Sequence, residues 1–137
     1  MSGKAESRLL YSSISFSERT GSLGSKGALL FTWLLTHCDS QGRMQGKPSV
    51  FKNLVAPFVG DITIEDTNES LELMEKAKLI LRYKDSKDRN LIQVIEWWEY
   101  QTGLKYKSAS HYEPPSNWED KITQRDENGK FIKESGY

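Results

Sequence analysis

Cysteine is almost absent from the sequence. Cys38 stands alone among 137 residues, which excludes an internal disulfide. It lies in an apolar run with helical spacing, so we expect a small buried side chain rather than a nucleophile. No apolar run approaches the roughly 20 residues that a membrane span needs, and residues 1–8 hold no apolar signal core. The sequence therefore predicts a soluble cytoplasmic protein with no membrane partner.

An excess of charge of one sign is also lacking, because 19 basic and 19 acidic residues leave a formal net charge of zero. This balance excludes a protein that is basic throughout, so a nucleic-acid site must come from local segregation of charge. The mean hydropathy is −0.64 and 11% of the residues are aromatic. We therefore expect one folded domain, with part of the chain outside its core.

Residues suited to catalysis or metal binding are sparse. The two histidines, His37 and His111, are far apart, and neither has a partner at a metal-ligand spacing. His37 and Cys38 would project about 100° apart on a helix, which does not make a nucleophile–base pair. Residues 21–27 lack the Gly-Lys-Ser/Thr ending of a phosphate loop. We expect no enzyme activity, no metal, no cofactor and no small-molecule substrate.

Apolar spacing predicts two helices and a strand in the first half of the chain. A stripe at intervals of three and four residues predicts a helix from Gly24 or Ser25 to about residue 38. Residues 43–46 suit a short strand. Pro48 stands at a tolerated first position of a second helix, which Pro57 ends.

The second half of the domain predicts a third helix and a hairpin. Thr63 and Asp66 form a capping-box-like start to a helix over residues 64–77. Strand-forming runs follow at residues 79–83 and 91–95, joined by a polar loop. The order α-β-α-α-β-β predicts an α+β fold of the winged-helix type, a helix-turn-helix whose hairpin is the wing.

Two flanking regions complete the predicted organisation. Residues 1–22 should form an irregular arm that docks through Ile14 and Phe16 onto a winged-helix domain at residues 23–101. Residues 102–137 are highly charged with isolated aromatics, which predicts a flexible or loosely docked tail.

An ordered set of short motifs lies between about Leu23 and Gln101: Leu29-Leu30-Phe31, Leu34-Leu35-Thr36, Asp39, Gly42-Arg43, Ala56-Pro57, Leu71, Leu73, Leu79-Ile80, Tyr83 and Trp97 through Tyr100-Gln101. In these motifs the chain is similar to winged-helix proteins of phage and prophage replication modules, related to the amino-terminal domain of DnaD-like replisome organisers. The resemblance implies a role in initiating or organising DNA replication, with DNA or a replication protein as partner. One departure is Lys78, where the family usually has glycine.

Basic residues suited to phosphate contacts fall in three stretches. Residues 1–59 hold seven basic and three acidic side chains, residues 82–89 hold four basic and two acidic ones, and the third stretch, residues 105–112, holds Lys105 and Lys107. Such contacts would position the protein on DNA with weak sequence preference. The alternative for residues 82–89 is an ordinary hydrophilic turn. The alternative for residues 105–112 is a disordered stretch that follows the domain. The candidates are Arg43, Lys47, Lys52, Arg82, Lys84, Lys87, Arg89, Lys105 and Lys107.

A different surface suits a protein partner. Residues 61–78 hold six acids and two lysines, so the third helix would repel DNA. Its face is either solvated or binds a protein, through Glu65, Glu69 and Glu72. Trp97 and Trp98 are predicted at a strand end, with one facing the core. The other, beside Tyr100, either anchors a partner or is covered by the arm or tail. A protein adaptor or homo-oligomer is therefore the alternative to a DNA-binding accessory.

Overall fold

The structure is a computed structural model that describes residues 7–104 and 106–130. Within these ranges, five α-helices and a three-stranded antiparallel sheet confirm the predicted α+β class. From α2 to β3 they also follow the predicted order. In chain order the elements are a 3-10 helix at Ser12–Phe16, α1 at Glu18–Gly21, α2 at Gly24–His37, β1 at Arg43–Gln45, α3 at Pro48–Val55, α4 at Ile64–Lys76, β2 at Ile80–Lys84, β3 at Asn90–Val94 and α5 at Trp97–Tyr100.

Helix α2 is the centre of the core. Its apolar stripe, Leu30, Phe31, Leu34 and Leu35, is at most 1% exposed. Each such side chain contributes roughly 1.5–3 kcal/mol of hydrophobic free energy. None of the helices in the described part of the chain combines the length and the apolar character that crossing a bilayer requires.

Helix α4 begins with the predicted capping box. The Thr63 hydroxyl accepts a hydrogen bond from the Asp66 amide at 3.0 Å, and the Asp66 carboxylate accepts one from the Thr63 amide at 3.0 Å. Lys26 of α2 donates to the same carboxylate at 2.9 Å. At the other end, Lys78 has φ 60° and occupies the left-handed position that glycine adopts without strain. The left-handed backbone at Lys78 therefore has a local cost in free energy, which the rest of the fold offsets.

The sheet has the order β1-β3-β2, so the central strand is the last in sequence. Arg43 of β1 pairs with Gln93 of β3, and Tyr83 of β2 pairs with Leu91. Before β1, Gly42 has φ 82°, and a Cβ there would lie 2.6 Å from Trp97 Cγ. The turn thus needs glycine both for its backbone angle and for the close approach of the indole ring.

The amino-terminal arm is more ordered than predicted. It contains the 3-10 helix and α1, and Leu9 exchanges backbone hydrogen bonds of 2.8 and 3.0 Å with the Gln101 side chain. Ile14 packs against the core as predicted. The prediction for Phe16 is wrong, because this side chain is 85% exposed. The arm is held by polar contacts that hydrophobic spacing does not reveal.

The C-terminal segment, defined as residues 106–123, is also fixed to the domain. Gln41 donates to the carbonyl oxygens of Ser108 and Lys121, both at 2.7 Å. Lys107 and Thr123 pair through hydrogen bonds of 2.8 and 2.9 Å. This segment is therefore not the loosely attached tail that the sequence predicts. Residues 131–137 of that prediction lie outside the described residues.

Candidate nucleic-acid interface

The hairpin tip, residues 85–89, is organised by one carboxylate. Asp85 Oδ1 accepts from the amides of Lys87 at 3.0 Å and Arg89 at 2.9 Å. Oδ2 accepts from Arg89 Nε at 2.7 Å. Burial opposes ionisation of Asp85, but these hydrogen bonds and the nearby guanidinium outweigh it and lower its pKa. The tip therefore keeps a defined shape and an ionised carboxylate at neutral pH.

Three predicted phosphate contacts lie on this hairpin and are exposed. Lys84 pairs with Asp88 at 3.4 Å, and Arg89 pairs with Asp85, while Lys87 extends from the tip. Both partners of the Lys84–Asp88 pair are exposed, so this pair contributes little in water and Lys84 can exchange its carboxylate for an external phosphate. Arg89 instead pairs with a carboxylate whose side chain has 0% exposure, so a phosphate can meet only the exposed part of Arg89.

Arg82 has a different environment from its neighbours. Its Nε donates to Glu75 at 2.7 Å and its Nη1 to Asn68 at 3.1 Å, which links β2 to α4. The side chain is only partly exposed. Arg82 therefore holds the hairpin against the helix, and its charge is largely balanced before any ligand arrives.

The structure contradicts the prediction that Arg43 belongs to a basic surface that contacts DNA. Its side chain is buried, and its guanidinium donates to Gln93 Oε1 at 2.7 Å, to the Tyr112 carbonyl at 3.2 Å and to both oxygens of Asp120. A buried cation needs such pairing to offset its lost hydration. The Arg43 side chain has 0% exposure, so it joins the sheet to the C-terminal segment instead of presenting donors at the surface.

Two further predicted contacts lie at the two ends of helix α3. Lys47 is exposed at the start of this helix, whereas Lys52 Nζ donates to the Ala56 carbonyl at 3.1 Å and closes its end. A groove of about 340 Å³ runs between the start of α3, the end of α4 and the hairpin. Lys84 and Arg82 line it together with Glu75, so its charge is mixed.

The last two predicted contacts are not on this surface. Lys107 places its ammonium 5.6 Å from the centroid of the Trp98 ring, a cation–π contact that Lys121 repeats at 5.8 Å. Lys107 therefore covers an aromatic side chain of the domain. Lys105 lies outside the described residues.

The predicted protein-binding residues of α4 lie at exposed positions of this helix. Glu65, Glu69 and Glu72 are all exposed, as are the apolar Ile64 at 51% and Leu73 at 39%. In the turn before α4, Phe58 is 97% exposed. This part of the surface combines acidic and apolar groups and does not favour contact with phosphates.

The predicted aromatic patch is mostly covered. Trp97 is fully buried in helix α5, and its Nε1 donates to the Ser40 carbonyl at 2.9 Å. The predictions of a strand end and of an interface role for Trp97 are therefore wrong. Tyr100 packs edge-on against Phe31 with ring centroids 6.1 Å apart. Trp98 is half-buried beneath lysines of the C-terminal segment, so the alternative in which the tail covers it is the one observed.

Cys38 is buried, and burial shifts both this thiol and the neighbouring His37 toward their uncharged forms. Burial raises the pKa of the Cys38 thiol, and desolvation lowers the pKa of His37. Across residues 7–104 and 106–130, no group of three or more His, Cys, Asp or Glu side chains is placed to hold a metal ion.

Sequence reasoning missed the C-terminal residues that contact the hairpin. Glu113 accepts hydrogen bonds from Ser86, and the Arg89 guanidinium lies 5.6 Å from the Tyr112 ring centroid. These residues lie in irregular backbone beside Pro114, so no period marks them. The sequence of this stretch shows only that charged and aromatic residues alternate.

Comparison with known proteins adds no relative to this description. No family model matches the chain, and no curated protein and no solved structure shows a significant match.

Proposed function

We propose that this chain is a winged-helix protein without enzymatic activity that binds the DNA backbone through its hairpin, as an accessory in phage-type DNA replication initiation. The replication role is what the family resemblance implies. The winged-helix assignment is supported by the order of elements from α2 to β3 and by the strand order β1-β3-β2.

The observation that carries the DNA-binding proposal is the exposed basic group on the hairpin. Lys84, Lys87 and Arg89 project from one short loop region, and Lys47 is exposed at the start of α3. Cations on a hairpin suit phosphate oxygens, which fix position without specifying sequence. Weak sequence preference and strong salt dependence follow from this mode of binding.

Helix α4 has a different role from the recognition helix of many winged-helix proteins. Its exposed carboxylates would meet a duplex that carries about one negative charge per 1.7 Å of axis. We infer that α4 stays outside the major groove and that the hairpin makes the main contact.

A decisive experiment compares two variants of equal charge. Fluorescence anisotropy with labelled duplex and single-stranded DNA would be recorded at low and near-physiological salt. The variant K84Q/K87Q/R89Q should bind at least about tenfold more weakly, whereas K26Q/K76Q/K130Q should stay within about twofold of the unmodified chain. With about three to five phosphate contacts, the log–log salt slope should be roughly −3 to −5.

Two results would count against the proposal. Equal losses in both variants would mean that only overall charge matters, and no binding at low salt would remove DNA as a ligand of this chain.

A second candidate function is protein binding or self-association through α4. The observation that favours it is Phe58, which is 97% exposed in the turn before the acidic helix. Large apolar side chains exposed beside carboxylates suit a partner with basic and apolar groups. Light scattering of the full chain should then show self-association that E65Q/E69Q/E72Q abolishes and K84Q/K87Q/R89Q preserves. A monomer at all concentrations would restrict this candidate to a foreign partner.

A further inference from the structure

The hairpin tip already holds an anion, which is a side chain of the same protein. Glu113 Oε2 accepts a hydrogen bond from Ser86 Oγ at 2.6 Å and another from the Ser86 amide at 3.3 Å. Both donors belong to one residue and converge on one carboxylate oxygen. Ser86 stands between Lys84 and Lys87, so the donors lie among the cations of the proposed DNA-binding surface.

Neighbouring contacts keep this carboxylate in place. The Tyr83 hydroxyl donates to the Glu113 carbonyl oxygen at 2.5 Å, and Arg89 lies over the ring of Tyr112. Burial raises the pKa of Tyr83 to about 12, so the phenol keeps its proton at neutral pH. We call this set of contacts, centred on Tyr83, Ser86 and Glu113, the exposed clasp.

The chemistry of the clasp suits a phosphate as well as a carboxylate. A backbone N–H and a hydroxyl that converge on one oxygen are general anion donors, and nearby Lys and Arg side chains add attraction. Ser86 and Glu113 are both exposed, so an external oxyanion can approach them. The Glu113 carboxylate can leave by rotation of its own side chain, because Asp120 still holds the C-terminal segment to Arg43.

We propose that the Ser86 donors form a binding site for a nucleic-acid phosphodiester group, and that Glu113 occupies this site as an intramolecular competitor. This inference rests on the proposed binding of DNA by the hairpin. It predicts that the free protein is partly masked and that phosphate and Glu113 exclude each other.

The first test measures DNA affinity in the full chain at low salt. E113Q should bind labelled DNA about three- to tenfold more tightly, the range expected when one exposed charge-assisted hydrogen bond no longer competes. E119Q removes the same charge from an exposed residue of the same segment that lies outside the clasp, and it should change affinity by less than about twofold. Y83F loosens Glu113 without changing any charge, and it should shift affinity in the same direction as E113Q.

The second test uses inorganic phosphate and needs no DNA. Phosphate would be titrated into the isotope-labelled protein while the backbone amide resonance of Ser86 is followed by NMR. In E113Q this resonance should respond at a severalfold lower phosphate concentration than in the unmodified chain.

The outcomes separate the two proposals. If the unmodified chain binds DNA but E113Q and E119Q bind alike, the competition is overturned and the proposed function stands. If no variant binds DNA while Ser86 responds to phosphate, the anion site stands and the proposed function fails. If Ser86 responds in neither protein, the anion site is overturned.

Discussion

Two of the contacts that attach the C-terminal segment to the domain use similar chemistry in opposite environments. One is the buried anchor, in which Asp120 pairs with Arg43, whose side chain has 0% exposure. The other is the exposed clasp, in which the Glu113 carboxylate meets Ser86 in water. Removing one partner of a buried pair leaves an uncompensated charge, whereas an exposed contact is replaced by solvent. The comparison therefore separates a structural attachment from an exchangeable one.

The largest effect should come from breaking the buried anchor. We expect D120A to lower the free energy of unfolding by about 3–5 kcal/mol, because Arg43 would remain buried without its carboxylate. Urea denaturation monitored by tryptophan fluorescence would measure this loss. E113A is the matched control, and its loss should be below about 1 kcal/mol because its contacts are exposed. Equal losses in the two variants would remove the distinction between the two attachments.

A somewhat smaller loss should follow a change in the turn that supports the anchor. We expect G42A to destabilise the protein by about 2–3 kcal/mol, since its Cβ would clash with Trp97 and φ 82° disfavours alanine. Thermal unfolding would measure the effect. G60A is the control, because nothing lies within 4 Å of a Cβ at Gly60 and its φ is not positive. A stable G42A protein would show that the turn can relax without disturbing Arg43.

A substitution remote from both attachments should stabilise the protein. Lys78 has φ 60°, so K78G should relieve strain and raise the free energy of unfolding by about 0.5–1 kcal/mol. The Lys78 carbonyl accepts from Arg19 at 2.8 Å, and this backbone contact survives the substitution. K76G, in the last turn of α4, should instead destabilise the protein. DNA affinity should be unchanged in K78G, because neither the anchor nor the clasp is altered.

The smallest effect concerns the pH response of the hairpin tip. Asp85 has a pKa below its ordinary 3.8 in the folded state, so its ionised form stabilises the fold. This stabilisation is complete above pH 3.8 and is lost as the pH falls through the folded-state value. The melting temperature of D85N should therefore vary less with pH in the acidic range than that of the unmodified chain. Identical pH profiles would mean that Asp85 does not hold the tip.

The sequence predicts the elements whose signals are local. The apolar stripe of α2, the Pro48 start of α3 and the capping box of α4 all depend on residues within a few positions of one another. Each hairpin strand has its predicted length and is displaced by one residue at both ends, β2 toward the C-terminus and β3 toward the N-terminus. Short-range patterns were sufficient here because each element buries one continuous face.

The two attachments could not be predicted in the same way. Arg43 has the residue type and flanking glycine of a surface turn, and its burial depends on distant partners, among them the Asp120 carboxylate 77 residues later. Glu113 reaches Ser86 from irregular backbone that has no hydrophobic period. The strand-forming residues before Trp97 predict a strand end there, but the chain turns at Glu96 and the indole enters the core. These positions depend on contacts between distant parts of the chain.

The separation between Arg43 and Asp120 also sets an order of events during synthesis. Ribosomes add about 5–20 residues per second. The 77 residues between the two partners therefore take about 4–15 s to make. Throughout that interval the nascent chain carries a guanidinium whose carboxylate does not yet exist. The buried guanidinium of Arg43 can therefore reach its full set of partners only after Asp120 has been made.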